Sequence, residues 1–202
     1  LLQGQAFTDP PGMTAGLVPE LLAFARRLLG RADVPQTFVL NALVPVDFAL
    51  WQLWNAKRGN GTFDALCASF CPELTNREKE LGSIPLITYH TPEDELHALL
   101  EDGAFLLKVK IGSDPEKNGD PEAMLAWDIG RLRTVHTAAA GFTTPYTECG
   151  RPVYYLDANG RYPDREFLLR FLDAADKMDA LERIVLLEEP FAGDRPEPVH
   201  GL

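Results

Sequence analysis

Residues 104–111 read AFLLKVKI, in which Phe105, Leu107, Val109 and Ile111 alternate with Leu106, Lys108 and Lys110. An extended chain sends successive side chains to opposite faces. The segment therefore reads as a strand with one apolar face and one face carrying two lysines. Lysines at i and i+2 stand about 6–7 Å apart. Each disfavours the other's charge, which lowers a lysine pKa toward that of a usable base.

Outward from this strand the same rhythm repeats. Residues 84–89 are strand-like, as are 153–157 (VYYLD) and 184–188 (IVLLE). Helical segments lie between them. Thr91-Pro92-Glu93-Asp94 offers a hydroxyl cap, a proline at the first position and acids facing the helix dipole, with Gly103 as the stop. A second helix is expected over 120–140. A third is expected over 164–178, where Phe167, Leu168, Phe171, Leu172 and Ala175 recur at helical spacing. Strands alternating with helices predict parallel pairing. No glycine-rich phosphate loop follows the first strand, which argues against a doubly wound sheet. The span 83–202 is about half of the roughly 250 residues of a closed barrel. The expected fold is α/β, with 83–202 forming the first four strands of a TIM-type (β/α) barrel.

Residues 1–82 read as loop plus helices. Residues 1–16 (LLQGQAFTDPPGMTAG) have the composition of a mobile surface segment. Residues 17–29 place Leu17, Leu21, Leu22, Ala25, Leu28 and Leu29 on one stripe before Gly30. A second helix is expected from Val44–Pro45 to Lys57, with Phe48, Leu50, Trp51 and Trp54 as its packing face. The 202 residues are 46% apolar and 24% charged, which suits a soluble globular chain rather than a disordered one. A net charge of −11 repels a phosphate backbone and argues against nucleic-acid binding. No apolar run approaches the roughly 18 residues of a membrane span, and no signal-peptide pattern opens the chain. Cys67 and Cys71 lie one helical turn apart and read as reduced thiols of a cytoplasmic protein. Without a further Cys/His pair they are a weak basis for zinc.

The second and third long strands also end in charge. Asp157-Ala158-Asn159-Gly160 is favoured turn chemistry by itself. Glu188 and Glu189 follow four aliphatic residues; buried, they would need partners, and at a strand exit they could simply be solvated. Taken together, three successive strands carry lysines, an aspartate and glutamates at the end where barrels collect catalytic groups. Two carboxylates from neighbouring strands suit a hard divalent cation, Mg2+ above all. A lysine facing it fits abstraction of a proton beside a carboxylate, with the metal stabilising the enediolate.

The segments LLKVKIG (106–112), YLDANGRY (155–162) and LLEEPF (186–191), in this order, resemble the enolase superfamily in its mandelate racemase/muconate lactonizing enzyme branch. VDFALWQLWNAKRG (46–59) is similar to the helix that family carries before its barrel, so the resemblance spans about 40–192. It implies that 1–82 is a mostly helical portion of an α+β capping domain. It implies Lys110 as general base or acid, Lys108 as the neighbour that tunes its pKa, Asp157 and Glu188 as Mg2+ ligands, and Asn159 as a substrate contact. Strand alternation puts Glu188 and Glu189 on opposite faces without telling which is inward, so Glu189 remains the alternative ligand. The implied activity is that of a racemase or epimerase, with acid-sugar dehydratase or cycloisomerase as alternatives. The expected partners are a small carboxylate substrate and further copies of the chain in a homo-oligomer, with neither nucleic acid nor membrane. From another class, the same residues suit a non-catalytic half-barrel that binds a partner or only packs.

On this reading the chain stops before a third metal ligand and an opposite acid/base. The interval from Lys110 to Asp157 exceeds the 30-odd residues of a βαβ unit, so an insertion is expected around 118–152, with GFTTPYTECGRP as its irregular part. His90 reads as a surface histidine, and His97, His136 and His200 show no ligand spacing. Trp51, Trp54 and Trp127 read as core.

Overall fold

The computed structural model describes residues 4–75 and 80–191. His200, residues 1–3 of the amino-terminal segment and residues 192–202 of the expected half-barrel lie outside the described residues. The chain divides into two compact units, Leu1–Lys79 and Glu80–Leu202.

The first unit is helical: α1 (Pro10–Leu29), α2 (Gln36–Lys57) and α3 (Phe63–Phe70). Helix α1 begins seven residues earlier than its apolar stripe suggested, so residues 10–16 of the expected mobile segment are helix. The cause is local. Asp9 accepts from the Gly12 N–H at 2.7 Å, and Pro10 and Pro11 occupy first-turn positions where a missing N–H costs nothing. Helix α2 likewise starts at Gln36 and carries Pro45 in its interior rather than at its start. α1 and α2 form a hairpin closed by Leu17, Val39 and Leu43. Thr14 Oγ1 donates to Asp47 at 2.8 Å, and the Trp54 indole donates to Thr8 O at 3.0 Å. Trp51 and Trp54 meet Phe70 edge to face, but Phe48, expected on the packing face, is 65% exposed. α2 is long and apolar enough to cross a membrane by length and composition alone. All three cysteines are free.

In the second unit β1 (Leu86–Ile87), β2 (Leu106–Lys110), β3 (Val153–Asp157) and β4 (Ile184–Glu188) form one parallel sheet in the order β1-β2-β3-β4. They alternate with α4 (Glu93–Glu101), α5 (Pro121–Ala138) and α6 (Arg165–Lys177). This is the α/β pattern of a barrel's first half. β1 is shorter than expected. Helix α4 also begins differently: Pro92 is its cap residue, and Thr91 Oγ1 instead accepts from the Thr88 N–H at 2.9 Å. Helices α5 and α6 start where an aspartate caps them, Asp120 onto Glu122 N and Asp164 onto Phe167 N. Leu107, Val109, Ile111, Tyr154 and Leu156 pack with Leu96, Leu132, Val135, Leu168 and Phe171 from the helices, all essentially fully buried. Burial of a side chain this size stabilises by about 1.5–3 kcal/mol. The long interval before β3 is filled by α5, one short 3-10 turn (Ala139–Gly141) and the irregular stretch 142–152. Trp127, expected in the core, is 42% exposed on α5.

Candidate active site

With one sheet face committed to the helices, the alternate side chains of β2, β3 and β4 share the other. Parallel register pairs Lys110 with Asp157 and Asp157 with Glu188, so these three residues form a row across three adjacent strands. Lys108, Tyr155 and Leu186 form the next row down.

Asp157 is 1% exposed and sits at the centre. Its Oδ2 accepts from Lys110 Nζ at 2.5 Å and faces Lys108 Nζ at 3.1 Å, while Oδ1 accepts from the Asn159 N–H at 3.1 Å. Burial pushes the Asp157 carboxyl up, but the hydrogen bonds from Lys110, Lys108 and the Asn159 backbone together hold it below its ordinary value. Lys110 Nζ also donates to Asn159 Oδ1 at 2.7 Å. Asn159 reaches this position with φ +48°, in the left-handed region that Asn tolerates better than most residues.

Lys108 Nζ donates to Glu188 Oε2 and to Tyr155 Oη, the latter at 3.3 Å, and Tyr155 Oη donates to the same Glu188 oxygen at 2.6 Å. The bond to Glu188 raises the Lys108 pKa well above that of an ordinary lysine, and Asp157 adds to it. For Lys108 that corrects the expectation of a lowered pKa: its ammonium faces Glu188 and Asp157, and attraction at that range outweighs repulsion along the strand. Glu189, by contrast, is exposed, with φ +42°.

The sequence reading missed Tyr155, although period-2 alternation from Asp157 already places it on the charged face. It also missed Asp128. This α5 carboxylate is fully buried and accepts from Gly112 N at 2.7 Å, Ser113 N at 3.3 Å and Tyr162 Oη at 3.0 Å. It thus ties the chain leaving β2 to the chain leaving β3, immediately beyond Lys110 and Asn159. Burial pushes its pKa up to about 6, against the pull of those hydrogen bonds. No local pattern marks a lone aspartate in a helix as buried, so only tertiary contact reveals it.

The donor chemistry suits a magnesium ion. Asp157 and Glu188 already hold a cation, the Lys108 ammonium, between two hard oxygen donors. Among the described residues no group of three or more His, Cys, Asp or Glu side chains is placed to hold a metal, so this is a two-carboxylate set.

No protein-family model matches the sequence, and no curated protein matches it. Among solved structures, the chain is similar to a mandelate racemase/muconate lactonizing enzyme from Bordetella bronchiseptica RB50, with a TM-score of 0.52 and 21% identity. The match covers 97% of this chain and 44% of that one, so the chain spans less than half the length of its structural relative. At that identity the likeness establishes the fold: an α/β chain corresponding to part of a TIM-type barrel.

Proposed function

We propose that this chain supplies one half of the active site of an enzyme that abstracts a proton from the carbon beside a carboxylate, as a racemase or epimerase does. The observation that carries the reading is the Lys110–Asp157–Glu188 row, with Lys108 beneath it, at the carboxyl ends of three parallel strands. The neighbour of known structure bears the name of an enzyme family whose barrel this fold shares.

In this reading Asp157 and Glu188 hold Mg2+, which when bound draws charge from the substrate carboxylate. Lys110 moves the proton at the substrate carbon, and Asn159, bonded to Lys110 Nζ, fixes the direction of that amine and contacts substrate. Lys108 stays cationic and offsets negative charge at the row. Tyr155 orients Glu188. The test is uptake of solvent deuterium at the α-carbon of candidate carboxylates, with and without Mg2+. Lys110→Ala, with unchanged circular dichroism, should lose uptake by 10²-fold or more. Full exchange in that variant would remove Lys110 from the role.

A further inference from the structure

A pocket lies at the carboxyl ends of the strands, lined by other residues than those of the lysine row. It encloses about 590 Å3 and is lined by Tyr89 and His90 after β1, the 112–119 loop after β2, Trp127 of α5, and Arg161 after β3. Neither lysine of the row, nor Asp157 or Glu188, lines it. The volume is in the range of small-molecule sites.

Its polar groups are set in place before any ligand arrives. Arg161 Nη1 donates to Gly112 O at 3.2 Å and to Tyr89 Oη at 3.3 Å, and Tyr89 Oη itself donates to Ile111 O at 2.7 Å. The Arg161 stem lies flat on Gly112, where an added Cβ would come within 2.9 Å of it. One guanidinium nitrogen is thereby anchored, and among the described residues no carboxylate forms an ion pair with the fork, although its charge reaches the buried Asp128. Lys117 is presented from the same loop at φ +54°, a conformation held by Asp114. Asp114, the acid in the lining, spends its oxygens internally. Oδ1 accepts from the Glu116 and Lys117 N–H groups, and Oδ2 from Gly119 N–H. The lining therefore presents a fixed guanidinium, an ammonium, an imidazole and a part-exposed indole, on a protein whose net charge is −11.

We infer that this pocket binds a small organic oxyanion, a carboxylate or phosphate carried on a flat apolar group. Arg161 takes the oxyanion through its two-pronged fork, Lys117 adds charge, and Trp127 stacks against the flat group. The inference is independent of the proposed proton abstraction.

Phenyl phosphate and benzoate are the probes, titrated against the intact protein and followed by tryptophan fluorescence, with Trp127→Phe identifying the reporting indole. Saturable quenching that disappears in Trp127→Phe is expected. Affinity should fall at least fivefold in both Arg161→Met and Lys117→Met, and remain unchanged in Lys110→Met. Lys117 is an exposed loop side chain, so its variant reads binding even if Arg161→Met perturbs the fold. The relative affinities of the two probes tell which oxyanion the site prefers. Absence of saturation with either probe overturns the inference. So does equal affinity in Lys117→Met, or loss of binding in Lys110→Met, which would put the anion at the lysine row instead.

Discussion

Lys110 Nζ lies 2.5 Å from Asp157 Oδ2, across a β2–β3 register that makes the two residues direct partners. Because Asp157 is buried and faces two ammonium groups, removing it leaves Lys108 and Lys110 with one carboxylate fewer and each other for company. Asp157→Ala should cost about 2–4 kcal/mol, below the upper end for buried pairs because both lysines are about a fifth exposed. Adding Lys110→Met to that variant should recover part of the loss. Urea denaturation measures both, and a cost under about 0.5 kcal/mol would show that the carboxylate is not what holds the lysines.

Glu188 and Glu189 separate by experiment as they do by geometry. If Glu188 is the cation ligand, millimolar Mg2+ should stabilise the parent against unfolding, by about 2.7 kcal/mol at a hundred times Kd. Glu188→Gln should lose most of that stabilisation and Glu189→Gln should keep it. The reverse pattern would exchange their roles.

Asp128 makes folding stability depend on pH in an unusual direction. Its carboxyl, with an ordinary value of 3.8, is pushed up to about 6 by burial, so between those values the folded chain holds more proton than the unfolded one. Its contribution is complete below about pH 4 and declines as pH rises to about 6, by roughly 2–3 kcal/mol. In Asp128→Asn that decline should be absent, so the stability difference between parent and variant should fall by that amount across pH 4–6. A difference profile flat across pH 4–6 would assign the pH dependence to other carboxylates.

Gly112 has φ +81°, and a Cβ there would sit 2.7 Å from Ala158 O and 2.9 Å from Arg161 Cβ. Gly112→Ala should destabilise by about 1–3 kcal/mol, from left-handed strain and from the forced separation of the two loops. Thermal unfolding reads the loss; a variant as stable as the parent would mean that these loops separate freely.

The legible parts of the fold were those governed by short-period pattern. β3 and β4 fall at the residues their short apolar runs mark, and α6 follows its apolar spacing with a one-residue adjustment at each end. The starts of α1 and α2 were not legible from apolar stripes. Cap chemistry at Asp9 and helical packing around Pro45 overrode the usual meaning of Gly- and Pro-rich sequence. Phe48 and Trp127 show the converse: aromatic identity does not tell whether another element arrives to cover it.

The sequence by itself determined that Lys108 and Lys110 share a strand face, because side chains alternate along any extended chain. It also determined the order in which the charged strand ends occur. Tertiary structure alone decided the rest. Parallel register placed Asp157 between the lysines and Glu188, and so raised the Lys108 pKa where spacing along one strand argued for lowering it. The β3–β4 register put Glu188 in the row, and packing buried Asp128 under two loops far from it in sequence. Periodicity is local, whereas a carboxylate's neighbours and its access to water are set by strands and helices that meet only on folding.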